Sequence, residues 1–117
     1  MKYALLIYDD PKAWADADEA SKGAMMEEYG KFWDALEKKG MIRGGQQLAP
    51  HTSATVVSAE NGKTLTTDGP YAETKEQLGG FFVIECDSLD QALEAAADIP
   101  SVKRIGGKVE VRPIVDM

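Results

Sequence analysis

The chain has one cysteine, one histidine and no long apolar run among its 117 residues. The single thiol, Cys86, rules out an intrachain disulfide and fits a reducing, cytoplasmic setting. Every apolar stretch falls far short of the ~20 residues a transmembrane helix needs, so no membrane partner is expected. The opening segment Met1–Asp10 lacks the apolar core and cleavage pattern of a signal peptide. Basic residues are also scarce: 13 Lys and Arg stand against 20 Asp and Glu, a formal net charge of -7. Electrostatic binding of nucleic acid needs a basic footprint, and the negative net charge weakens any case for it. One His, one Cys and carboxylates without ligand spacing predict no transition-metal centre and no cofactor. What is present is ordinary for a folded domain: 44% hydrophobic and 28% charged side chains. A single domain over residues 1–117 can bury one core without staples.

Periodicity divides the chain into strands and helices. Residues 2–8 read as a strand stopped by Asp9-Asp10-Pro11, and Pro11–Ala15 as a short helix with Asp10 as its N-cap. Met25, Tyr29, Phe32, Trp33 and Leu36 fall on one helical face, predicting a helix over about 20–39 that ends at Gly40. A strand within 41–48 is predicted to break at Gly44-Gly45. Thr55–Ser58 and Thr64–Thr66 flank Asn61-Gly62, the signature of a tight hairpin turn. Asp68-Gly69-Pro70 and Gly79-Gly80 read as further breaks, and Phe81–Cys86 as the clearest strand. Ser88 and Gln91 have capping-box spacing for a helix to Asp98, with Leu89, Ala92, Leu93 and Ala96 as its apolar stripe. Lys108–Pro113 closes the chain as a strand. Two βαβ units around a hairpin predict an α+β ferredoxin-like sandwich with both helices on one face of the sheet.

That arrangement leaves a problem on the other face. Ala4, Leu6 and Tyr8 oppose Tyr3, Leu5 and Ile7, and Phe81 and Val83 oppose Phe82 and Ile84, so both faces of these strands are apolar. A half-exposed sheet alternates apolar with polar residues, and these strands do not. The open face needs a second cover: a partner sheet in a homodimer, a ligand, or residues 41–80 folded back across it.

The run Thr67-Asp68-Gly69-Pro70-Tyr71-Ala72-Glu73-Thr74-Lys75-Glu76-Gln77-Leu78-Gly79-Gly80-Phe81 resembles the DGPF-domain group of the YCII-related family. Gly106–Pro113 and the opening strand Lys2–Tyr8 are similar to that group as well, with Tyr71 where Phe is usual. The resemblance implies a ferredoxin-like chain that pairs as a dimeric α+β barrel. It does not imply one activity. Some members carry a His and an Asp proposed as a catalytic pair; their positions fall here at about Tyr29 and at Ile99, with Asp98 beside it, so the pair is not reproduced. The group is also associated with sigma factors, which implies an alternative role as a regulatory or interaction module.

Chemistry-bearing residues gather in the central segment. His51 is the sole imidazole, on a Pro50-His51-Thr52-Ser53 loop, and general acid–base work most often uses histidine. Ser53, His51 and Asp68 could make a triad only by geometry that sequence does not supply. The Asp68 carboxylate can lock its own turn by accepting backbone N–H groups, or the rigid turn can present Asp68, Tyr71 and Glu73 to a pocket. Glu73, Lys75 and Glu76 also fit a short solvated helix face, and Gly79-Gly80 lacks the spacing of a phosphate loop. Cys86 has no neighbouring cation to stabilise a thiolate and reads as packing. Residues 9–28 hold seven acids and two lysines, a solvated face or a site for a basic partner. The leading expectation is a homodimer that binds an unknown small molecule. If it is an enzyme, Asp68 and His51 move protons while Tyr29, Tyr71 and Glu73 orient the substrate.

Overall fold

A computed structural model describes residues 1–117. The elements run β1 (Lys2–Asp9), α1 (Pro11–Asp16), α2 (Glu19–Lys38), β2 (Ile42–Gln47), β3 (Thr55–Glu60), β4 (Lys63–Asp68), β5 (Gln77–Glu85), α3 (Leu89–Ala97), α4 (Pro100–Ile105) and β6 (Lys108–Pro113). Four strands form one sheet in the order β2-β5-β1-β6, every neighbouring pair antiparallel. With β3–β4 set aside as a separate hairpin, this is the ferredoxin-like order expected from the chain. No helix is long and apolar enough to cross a membrane.

Local chemistry fixes the element ends. The Asp10 carboxylate caps α1 by accepting the Lys12 N–H at 3.0 Å, and Asp18 caps α2 by accepting the Ser21 N–H at 2.7 Å. That hydrogen bond holds the Asp18 carboxyl below the usual carboxylate range. At α3 the Ser88 hydroxyl accepts from the Gln91 N–H, and Gln91 Oε1 accepts from the Asp87 N–H at 2.7 Å. Asn61 and Gly62 both adopt positive φ in the β3–β4 turn, as a two-residue hairpin loop demands.

Several boundaries differ from the pattern in the sequence. Gly79-Gly80 does not interrupt a strand but lies within β5, where Gly79 falls at a register shift against β1. Gly44-Gly45 likewise lies within β2, at a shift between Ile42 and Gly44. A Cβ on Gly45 would lie 2.7 Å from the Phe82 ring, so close approach and not chain breaking explains that glycine. Residues 71–76 form no helix; Gln77 Nε2 ties their backbone down by donating to the Ala72 and Thr74 carbonyls. On α3 the buried residues are Ala92, Ala95 and Ala96, while Leu89 and Leu93 are about half exposed. Small side chains let α3 lie close to the sheet, and the leucines turn outward. Helix α4 has no forecast in the periodicity because six residues are too few to show one.

The core lies between the sheet and its helices: Tyr3, Leu5, Ile7, Phe82, Ile84 and Cys86 against Phe32, Leu36, Ala92 and Ile99. On the opposite face Ala4, Leu6, Tyr8, Phe81 and Val83 stay partly exposed. The molecule is only 17 Å thick along its shortest axis, room for one sheet and one helix layer. Residues 41–80 therefore do not seal that face. The β3–β4 hairpin projects instead, exposed almost throughout, and raises the radius of gyration to 16.0 Å, against about 13 Å for a compact domain of this length.

Candidate functional site

The odd-numbered residues of β1 face the helices: Tyr3, Leu5 and Ile7 are buried there, and Asp9 continues the same face at the strand's end. An acid thus arrives where a hydrophobe is due. It opens on a cleft of about 750 Å³ between α1, α2 and the β2–β5 end of the sheet. Trp14, Met25, Met26, Tyr29, Trp33 and Phe82 supply most of its apolar wall. Phe82 organises that wall: Phe32, Trp33 and Tyr29, all from α2, lie 5.1, 6.1 and 6.4 Å from its ring centroid. Asp9 is the one Asp, Glu, Lys or Arg residue lining the cleft.

Three polar groups meet at the floor. Asp9 Oδ1 and Ser101 Oγ are both buried, and neither has a hydrogen-bond partner. Burial pushes the Asp9 carboxyl above the usual carboxylate range, and the nearby Ser101 hydroxyl opposes the rise. Burial also pushes the Tyr29 phenol up; the Ser101 hydroxyl opposes the rise and the Asp9 charge adds to it. Glycines make room for the carboxylate. A Cβ on Gly79 would lie 3.4 Å from Asp9 Oδ2, and one on Gly107 would overlap Oδ1 and come within 2.8 Å of Ser101 Oγ. Helix α4 is pinned to α2 by Arg104, whose guanidinium grips Glu28 at 2.7 and 2.9 Å and holds that carboxyl below its ordinary range. The same packing sets Ser101 beneath Tyr29.

The sequence-predicted residues divide. His51, half-buried on the turn 51–53, and Tyr29 both border the cleft. Asp68, Tyr71 and Glu73 lie outside it: Asp68 ends the exposed hairpin and Tyr71 is 92% exposed. Their turn is closed by the Gly69 N–H donating to the Ala54 carbonyl at 2.7 Å. Ile99 is wholly buried in the core, and Asp98 pairs with Lys103 at 3.1 Å, so no acid takes the place of the family's Asp. No three His, Cys, Asp or Glu side chains converge to hold a metal ion. The YCII-related domain model matches residues 1–117. This chain belongs to the YCII-related family. It is similar to an uncharacterized protein of Rhizobium meliloti (strain 1021), 35% identical over 114 residues, covering 97% of this chain and 92% of the relative.

Asp9, Ser101 and the two tryptophans are what the sequence reading of this YCII-related chain missed. For Asp9 a signal existed, since it extends the alternation of Tyr3, Leu5 and Ile7. Its raised pKa makes a prediction with a definite sign. The folded protein holds the Asp9 proton more tightly than the unfolded chain, so stability falls as pH rises from the ordinary carboxylate value through the raised one. Asp9→Asn should therefore gain on the wild type as pH rises through that window and hold its advantage above it. Thermal unfolding from pH 3 to 8 tests this. An advantage that shrinks with rising pH would show the carboxylate to be a stabilising partner instead.

Proposed function

We propose that this YCII-related protein binds a small, largely apolar molecule in the cleft, with Asp9, Ser101 and Tyr29 meeting its polar group. The observation that carries the reading is the pair of buried, unpartnered atoms, Asp9 Oδ1 and Ser101 Oγ, at the floor of an aromatic cavity. Buried polar atoms are nearly always satisfied in folded proteins, and a bound ligand supplies the missing partner. A carboxyl with a raised pKa is also suited to exchange a proton with its ligand, so Asp9 takes over the acid–base role that the sequence suggested for Asp68 and His51. His51 stays a second proton-transfer candidate at the cleft edge.

The working form in this proposal is a homodimer. The partly exposed apolar face of Ala4, Leu6, Tyr8, Phe81 and Val83 and the projecting β3–β4 hairpin are surfaces that a second copy would cover. The alternative of a module acting with a sigma factor would use the exposed acids of α1 and α2, and would need no cleft. A thermal-shift screen of apolar metabolites separates the two, because a ligand of the folded state raises its melting temperature. The shift should disappear in Trp33→Leu and survive in Asp68→Asn, and light scattering should give twice the chain mass. A shift lost in Asp68→Asn but kept in Trp33→Leu would move the site to the hairpin turn.

A further inference from the structure

The cleft combines two features that bear on the charge of its ligand. Its walls carry the aromatic rings of Trp14, Trp33, Tyr29 and Phe82, and its lining contains neither Lys nor Arg. Its floor carries one carboxylate with no cationic partner. None of the molecule's salt bridges includes Asp9. We infer that the cleft selects a hydrophobic amine, its ammonium on Asp9 and Ser101 and its apolar body against the tryptophans. This deepens the proposed function and rests on the cleft being a ligand site.

The physical case turns on what each kind of ligand leaves uncompensated. An anion would meet the Asp9 carboxylate with no Lys or Arg in the lining to hold it. A neutral hydroxyl can hydrogen-bond the carboxyl but brings no opposite charge to hold it ionised. An ammonium satisfies both terms at once. It donates up to three hydrogen bonds, enough for a carboxylate oxygen and the Ser101 hydroxyl, and it is attracted to the faces of surrounding aromatic rings. Trp14 already shows that affinity, with Lys22 Nζ 5.8 Å from its ring centroid. Ser101 borders the cleft and is 1% exposed, so its hydroxyl belongs to the packed floor.

Three probes with one phenyl ring isolate the charge: 2-phenylethylamine, 2-phenylethanol and 3-phenylpropionate, titrated calorimetrically at pH 7 into the full chain. The amine should bind about tenfold or more tighter than the alcohol. The carboxylate should bind weakest. Asp9→Asn should weaken the amine by about tenfold or more and the alcohol much less, whereas Asp68→Asn should change neither. Should Asp9→Asn fail to fold, the ranking on the wild type decides, with Trp14→Leu weakening the amine more than the alcohol. An alcohol or carboxylate that matches the amine overturns the charge selection while the cleft still binds ligand. If none of the three binds, this inference and the cleft reading both fall.

Discussion

Phe82→Ala is expected to lower the free energy of unfolding by about 3–5 kcal/mol, the range for removing a buried aromatic ring. Phe82 is 9% exposed and contacts the rings of Tyr29, Phe32 and Trp33, so its loss leaves a void that three large side chains on α2 border. Gly45 cannot close the void from below because it has no side chain, and β2 is held against β5 by the backbone ladder. The same ring is part of the cleft wall, so the variant should also lose ligand-induced stabilisation. Urea unfolding measures the first effect through the shift in midpoint at constant slope. A loss below about 1 kcal/mol would mean that the aromatic wall collapses freely and that the cleft is not preorganised.

Gly107→Ala should cost about 1–3 kcal/mol, the usual penalty for overpacking. It tests the floor of the site. The added methyl overlaps Asp9 Oδ1, lies 2.8 Å from Ser101 Oγ and lies 3.2 Å from the Ser101 carbonyl carbon. The Gly107 N–H also donates to the Ser101 carbonyl at 2.9 Å, so α4 cannot simply retreat. Asp9 must rotate away, and the pH dependence of stability assigned to it should weaken together with ligand binding. Gly106→Ala is not a neutral control, since Gly106 has φ of 69° and would be strained by any side chain. Gly23→Ala serves better, because a Cβ there meets nothing within 4 Å. Wild-type stability in Gly107→Ala, with its pH profile intact, would place the carboxyl elsewhere than in the glycine-lined niche.

The sequence alone determined the sheet and its two long helices because their patterns are periodic. Met25, Tyr29, Phe32, Trp33 and Leu36 repeat at helical spacing, and α2 follows at Glu19–Lys38. Asn61-Gly62 set the hairpin, and Ser88 with Gln91 set the start of α3. The doubly apolar faces of β1 and β5 were equally legible, and the thin two-layer molecule leaves one of them without a cover. Glycines misled wherever their role was close approach: Gly45 and Gly80 look like breaks in one dimension, yet each lets a neighbouring strand or ring come near. The site itself was a tertiary decision. Asp9 ends β1, Tyr29 stands on α2, Ser101 opens α4 and Gly107 precedes β6, so four separate segments meet at one carboxylate. The Asp68-Gly69-Pro70 motif is legible in one dimension because it is contiguous, and it closes the base of the hairpin. Burial, which shields Asp9 Oδ1 and Ser101 Oγ from solvent, is a property of the packed chain that no local residue pattern states.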